Sequence, residues 1–436
     1  MMKQTRRNFL KTTSVLSAAA VAGLSAHRVH AGETSLIKIG LIGCGGRGCG
    51  AVADAMSVDD NIRVTHAADL FPERGKAGIE GLKNQFEDKI TVSDDTLFFG
   101  FDGYKKVLES DVDSVILATP QHFRPVTLRD AVAANKHVFC EKPVAVDGAG
   151  IRMVMAAAEE AKSKGLNLVS GLCNRYYAAT MEAVKRIHDG AIGDVICCKA
   201  HRMGGELWRR PRLEGDTEMQ YQMRNWVNFC WIASEYINDV TIHQLDVALW
   251  CMGDPAPTCA LGMGGRLTRR YADTGDMYDS MTANFEFADG RFLDTLSRQI
   301  PGTYPDGTTF IYGTKGQATI ANCAAVCEIR VNGKEPFSPE QGKLSGLQYE
   351  HKVLLDAIRS GGSSYVNNGS YMANSTLCCI LGRMAAYSGD RVTYEEALAS
   401  EQDKPESYSF DTLPPTLPDE RGQYKIAMPH EGWAYL

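Results

Sequence analysis

The run Ile37-Lys38-Ile39-Gly40-Leu41-Ile42 passes directly into Gly43-Cys44-Gly45-Gly46-Arg47-Gly48, an apolar strand followed by a G-x-G-x-x-G turn that opens a helical stretch. This order points to a parallel sheet with crossover helices, because such a turn swings the chain from a buried strand into a helix lying on the sheet. Gly43 permits the tight turn, Gly45 lets the backbone approach a pyrophosphate with no Cβ in the way, and Gly48 lets the helix pack closely on the sheet. The helix N-terminus then offers free N–H groups and a partial positive charge to phosphates. Asp69 follows Gly48 by 21 residues, at the end of a second strand, Ile62 to Ala68. A carboxylate there accepts hydrogen bonds from the adenosine ribose hydroxyls and repels a 2′-phosphate, so these residues point to NAD rather than NADP.

From Leu36 to about Val169, short β-branched or apolar runs alternate with helical stretches, the pattern of a doubly wound parallel sheet. The expected strands are Ile37 to Ile42, Arg63 to Ala68, Ser114 to Ala118, His137 to Cys140 and Asn167 to Ser170. Helices are expected from Gly48 to Met56, around Leu82, from Pro125 to Ala134 and from Gly148 to Lys164. After Gly193 the pattern changes. Val195 to Met203, Asp279 to Phe287, Phe292 to Arg298 and Thr308 to Tyr312 read as strands of a larger, mainly antiparallel sheet, with Ala288-Asp289-Gly290 as a hairpin turn. Helical patterns return at Tyr349 to Ser360 and Tyr371 to Tyr387, and the last stretch, from Asp403, is Pro-rich and irregular. The fold expected is therefore an α/β Rossmann domain over 36–170 and an α+β substrate-binding and oligomerisation domain over 171–400, with a surface tail over 401–436.

At 436 residues the chain is long enough for two full cores. Residues 1–31 read as a targeting segment: Thr5-Arg6-Arg7-Asn8-Phe9-Leu10-Lys11 is a twin-arginine pattern, followed by the mildly apolar Thr12 to Ala26 and a small-residue context at Val29-His30-Ala31. The apolar run is too short and too rich in Ala and Ser for a transmembrane helix, so export to the periplasm is expected and membrane insertion is not. Cleavage would remove five basic residues (Lys3, Arg6, Arg7, Lys11, Arg28) of the 46 and none of the 53 acidic ones, leaving a net charge of −12. Such an acidic body is a poor partner for nucleic acid or an anionic membrane, and a neutral small substrate is the easier one to accommodate. The 13 cysteines are scattered and lack a zinc-ribbon arrangement, which predicts mostly free, buried thiols and no metal.

Three further clusters carry chemistry. Thr119-Pro120-Gln121-His122 follows the strand ending at Ala118 and lies at the carboxyl edge of the sheet, where ligands bind. Cys140-Glu141-Lys142-Pro143 ends the next strand, pointing an ammonium into the same crevice, where it could hold and polarise a substrate hydroxyl. Asp239 and His243 stand one helical turn apart in Asp239-Val240-Thr241-Ile242-His243-Gln244-Leu245-Asp246, so that a carboxylate, Asp239 or Asp246, can orient the imidazole. An oriented histidine of near-neutral pKa suits removal of an alcohol proton as hydride leaves the carbon.

Taken together, the glycine turn, Thr119-Pro120, Glu141-Lys142-Pro143, Asp239 with His243, and Gly313-Thr314-Lys315-Gly316 resemble the Gfo/Idh/MocA family, that of glucose-fructose oxidoreductase and inositol dehydrogenase. The likeness covers nearly all of residues 36–400. It implies hydride transfer between a bound nicotinamide cofactor and a hydroxyl of a sugar or polyol, with Lys142, Asp239 and His243 as the catalytic group and His243 as acid/base. It further implies that Arg175 and Tyr176, in Asn174-Arg175-Tyr176-Tyr177, face cofactor and substrate, and that His122 and Glu141 lie in the cofactor crevice. Trp208 and the pair Asn225-Trp226 are candidates for the sugar face, since an indole is a natural stacking platform. The chain departs from the family pattern at Arg124, where many relatives carry a second His, and at Glu235-Tyr236-Ile237-Asn238, which replaces a glycine-rich lead-in.

Three readings follow: an NAD-dependent sugar or glycoside oxidoreductase, with C3 of a hexoside as a candidate position; an NAD-dependent glycosidase working through transient C3 oxidation and elimination; and a dinucleotide-sensing binding protein. Retention of Lys142 favours the first over the second, and retention of all three catalytic residues favours both over the third. An exported enzyme has no free NAD to draw on, so the cofactor is expected to be loaded before export and held. The open face of a large antiparallel sheet needs cover, which predicts a homodimer or homotetramer joined through it.

Overall fold

The structure is a computed structural model and describes residues 35–428; the twin-arginine segment lies outside the described residues. The first sheet has six parallel strands in the order β3-β2-β1-β4-β5-β6: β1 (Ile37–Ile42), β2 (Ile62–Asp69), β3 (Leu97–Phe99), β4 (Ser114–Leu117), β5 (His137–Cys140) and β6 (Leu168–Ser170). This is the doubly wound order of a dinucleotide-binding domain. In β1 every residue but Lys38 is buried, as both-face coverage by helices requires. The covering helices include α1 (Gly46–Met56), α2 (Pro72–Phe86), α3 (Gly103–Glu109), α4 (Arg124–Ala133) and α5 (Gly148–Lys164). Asp147 caps α5 by accepting the Gly150 N–H at 2.7 Å, and Gly165 ends it with a left-handed φ of 68°.

The second sheet has eight strands in the order β13-β12-β11-β7-β10-β9-β8-β14, mixed but mainly antiparallel. Its centre is β7 (Val195–Gly204), which pairs parallel with β10 (Phe292–Gln299) and antiparallel with β11 (Thr308–Gly313). Beyond these lie β8 (Cys259–Gly265), β9 (Ser280–Glu286), β12 (Gly316–Ala321), β13 (Cys327–Val331) and the two-residue β14 (Val392–Thr393). One face is covered by α8 (Ile242–Cys251) and α10 (Gly369–Ser388), the helices before these being α6 (Ala178–His188), α7 (Glu218–Arg224) and α9 (Gly346–Arg359). Alternation is regular where a helix covers the sheet: Met281, Ala283 and Phe285 of β9 point inward, as do Leu293, Thr295, Ser297 and Gln299 of β10.

The two sheets share apolar core. Val138, Cys140 and Val144 pack in the same cluster as Met372, Leu377 and Ala283. Helix α9, from late in the chain, returns to the first sheet and packs Leu354, Leu355 and Ile358 with Ile39, Leu41 and Val64. A third cluster joins Phe71 to Met219, Phe229, Trp231 and Tyr424, with Phe101, Phe123, Tyr408 and Phe410 against it. Residues 401–428 contain no helix or strand and are held by those aromatic side chains. Among the described residues no helix is long and apolar enough to cross a membrane.

Candidate active site

The glycine turn is built as a phosphate cradle. Gly43 has a φ of 98°, and a side chain on Gly48 would come within 1.9 Å of the Gly43 carbonyl oxygen, so α1 begins hard against the turn. Side chains on Gly45 and Gly46 would meet nothing within 4 Å; this is the open space a pyrophosphate fills. Asp69 Oδ2 accepts the Cys44 N–H and Oδ1 the Phe71 N–H, both at 2.9 Å, fixing the carboxylate beside the turn. Burial pushes its pKa up, offset in part by these N–H groups and by Arg74. The buried Thr119 Oγ1, just past the carboxyl end of β4 and next to Pro120, has no hydrogen-bond partner. Cradle, carboxylate and orphaned hydroxyl fit a dinucleotide along the carboxyl ends of the strands.

Arg47 contributes to this cradle through its backbone. Its guanidinium is spent on Asp54 at 2.8 Å and on Glu141 at 3.0 Å, and the second contact ties α1 to the end of β5. Behind it, Glu350 of α9 is buried with both carboxyl oxygens unpartnered; burial and then Glu141 push its pKa well above the carboxylate range, so it is held as the neutral acid.

Lys142, Asp239 and His243 converge where the two domains meet. Lys142 Nζ donates to the main-chain carbonyl of Asp239, and Gln121 Nε2 donates to Asp239 Oδ1 at 2.7 Å. Arg124 opens α4 and donates to the Pro143 carbonyl, steadying the loop that carries Lys142. Residues Ile237–Thr241 form a π-turn leading into α8, a widening that such sites often use. It changes the expected geometry: neither Asp239 nor Asp246 orients the imidazole. His243 Nδ1 is buried with no partner, and no hydrogen bond of its ring to a side chain or main chain is seen among the described residues. Burial, then the Lys142 and Arg202 cations, hold His243 well below the usual histidine pKa, so the resting ring is neutral.

Several expected contacts are otherwise engaged. Arg175 is buried, its guanidinium shared between Asp246 and Asp254 and stacked 3.9 Å over the Tyr371 ring, so the donors expected to face cofactor and substrate are engaged in a structural ion pair. Tyr176 donates to Asn368 Oδ1 at 2.7 Å in the core. The neighbour Asn174 reaches the site instead, donating to the His243 carbonyl at 3.4 Å and accepting from the Cys323 N–H at 3.1 Å. Asn225 is fully buried and bonded to Arg210, Asn228, Tyr221 and Asp273. His122 lies in the aromatic seam beneath the tail, its Nε2 2.6 Å from the Tyr408 hydroxyl, and burial lowers its pKa to about 4. Trp208 is 43% exposed, packs edge-on against Trp226 at 5.7 Å and carries the Arg210 guanidinium 5.2 Å over its ring, so the stacking surface expected for a sugar is partly taken by protein. The thirteen cysteines are free thiols, ten of them buried, and among the described residues no cluster of His, Cys, Asp or Glu is arranged to hold a metal ion.

Sequence reasoning missed Gln121, Asn174 and Arg202 as members of the site. Gln121 and Asn174 stand inside motifs already singled out, but only the fold shows which residue of each motif turns inward. Residues 37–168 match the Gfo/Idh/MocA oxidoreductase family's NAD-binding Rossmann fold, and residues 180–319 match the GFO/IDH/MocA C-terminal domain. The chain belongs to the Gfo/Idh/MocA family of oxidoreductases and carries its NAD-binding domain. It is 26% identical over 305 residues to 2,7-anhydro-N-acetylneuraminate hydratase of Escherichia coli, covering 69% of this chain and 71% of that protein. It is likewise 26% identical over 289 residues to inositol 2-dehydrogenase of Rhizobium meliloti, covering 66% and 76%. The fold is shared with aldose-aldose oxidoreductase of Caulobacter crescentus, at a TM-score of 0.65 and 19% identity over 82% of this chain and 99% of that one.

Proposed function

We propose that this protein is an NAD(H)-dependent oxidoreductase that moves hydride to or from a secondary hydroxyl of a sugar, glycoside or polyol, exported through the twin-arginine segment with its cofactor already bound. The observation that carries the reading is the convergence of the Lys142 ammonium and a neutral His243 at the domain junction beside the dinucleotide cradle. The names of relatives that act on an inositol and on aldoses support it.

When bound, the dinucleotide supplies the hydride acceptor or donor. Gly43 to Gly48 would hold its pyrophosphate and Asp69 its adenosine ribose, and the two N–H hydrogens of Asp69's acceptor contacts keep that carboxylate aimed. Lys142 has one ammonium hydrogen on the Asp239 carbonyl and two left to hold the substrate oxygen. Its positive charge stabilises that oxygen as its proton departs. His243 Nε2 takes this proton in oxidation and returns it in reduction. Asp239, fixed by Gln121, keeps the Lys142 loop and the π-turn in register.

Single-turnover reduction of the bound cofactor by a sugar panel tests the assignment. His243→Ala and Lys142→Met should each slow it by about a hundredfold or more while leaving NAD in the protein, and combining them should cost less than the product because both act on one oxygen. Retention of more than about a tenth of wild-type rate in His243→Ala, well above what loss of a general base allows, overturns the role of His243.

A further inference from the structure

Strand β7 runs beneath the turn that carries His243, and its period of two decides what it presents there. Cys198 and Ala200 are the buried, helix-facing residues, so the next on that face is Arg202. The neighbouring strands fix its position. Ser297, opposite Arg202 on β10, meets Thr241 Oγ1 at 2.8 Å, and Thr309, opposite Ala200 on β11, donates to the Gln244 carbonyl at 3.0 Å. Arg202 therefore sits under the residues that flank His243.

Its guanidinium is not balanced. Arg202 enters no salt bridge among the described residues, and its Nε is buried without a partner. Contrast Arg175, Arg47 and Arg224, each shared by two carboxylates. The Tyr236 hydroxyl lies against Arg202, and Nη1 hangs over Gly307, where a side chain would come within 2.8 Å of it. A half-buried cation beside the reacting centre, with donors to spare and glycine opposite, is a receptor for an anion.

We propose that Arg202 is a substrate-binding residue that makes this site selective for a sugar or polyol bearing a carboxylate, a uronate-type acid. The inference rests on the oxidoreductase reading above and narrows its substrate. A single planar fork matches a carboxylate; a phosphate dianion would call for a second cation, and the two remaining hydrogens of Lys142 are given to the reacting oxygen. The acidic net charge does not oppose it, since charges farther than about 8 Å are largely screened at physiological salt. A carboxylate on Arg202 also cancels one of the two cations that disfavour a proton on His243, bringing the ring closer to a working base.

The test compares kcat/KM for a uronate with its uncharged uronamide, together with a neutral hexose and a hexose phosphate, by reduction of the bound cofactor. The wild type should favour the uronate over the uronamide by about tenfold to a hundredfold, the range of a charged hydrogen-bond pair. Arg202→Met should bring that ratio to near one, Arg202→Lys should keep part of it, and Lys199→Met, on the opposite face of the same strand, should not change it. Equal or faster turnover of the uronamide or hexose by the wild type, or preference for the phosphate, overturns the carboxylate site and leaves the oxidoreductase reading intact. Reduction by none of the four with NAD in place overturns both. The wild-type ratio decides the matter even should the Met variant fail to fold.

Discussion

His351 is stacked 4.0 Å from the Phe139 ring, buried, with Nε2 unpartnered; burial and then Arg47 lower its pKa to about 3. In the unfolded chain the same ring titrates near 6.5, so between those values the unfolded state binds a proton that the folded state refuses. Stability from this residue is thus complete above about pH 6.5 and is lost as pH falls toward 3. His351→Phe should leave the melting temperature at pH 7.5 near that of wild type and raise it at pH 5, where the histidine costs about 2 kcal/mol. Equal differences at the two pH values would mean that the ring takes up a proton in place. The same scale shows what a sequence conceals. Lys142, Asp239 and His243 were nameable because their residue types suit the chemistry, but Asn174, Arg175 and Tyr176 share one tight turn. Only the packing decides that Asn174 faces His243 while Arg175 turns to Asp246.

At the level of elements, the tail is the surprise. Phe410 stacks on Phe71 at 5.5 Å, and Tyr408 packs on Phe123 at 5.3 Å while bonding His122, so the tail is bound along the carboxyl edge of the first sheet, two residues from Asp69. Phe410→Ala should destabilise the protein by about 2 kcal/mol, less than a fully buried Phe because this one is half-buried. Combined with Tyr408→Ala it should speed release of NAD, read by dialysis of the holoprotein; unchanged release would limit the tail to a purely structural role. Strands β1, β2, β4, β5, β6, β7, β9, β10 and β11 were legible from their apolar or alternating runs. Strand β8 was not, because three glycines in Cys259–Gly265 dilute its pattern, and β3 and β14 are too short to show one. The π-turn was invisible because its residues keep a helical pattern while the spacing widens.

Across the whole molecule, the open face of the second sheet places Met263, Thr282, Leu296 and His201 in one row over four strands, with Met263 71% and Leu296 41% exposed. Our proposal is that a second copy covers this face. Light scattering at micromolar concentration should give a dimer or tetramer, and Met263→Asp with Leu296→Asp should shift it toward monomer; a monomeric wild type would sink the idea. The core that runs through both sheets, with Val144 and Met372 in one cluster, argues against large hinge motion between the domains. The return of α9 to the first sheet bears on how the protein is made. Glu350 lies behind Arg47 of the glycine turn, Gln348 bonds Ser57, and Arg359 bonds Asp59, so the first domain is finished by residues synthesised some 180 positions after its last strand. A nascent chain therefore holds an incomplete dinucleotide site through most of its translation. On our proposal that the protein is exported with its cofactor bound, cofactor capture would have to wait until the ribosome has delivered nearly the whole polypeptide, and export would have to follow it.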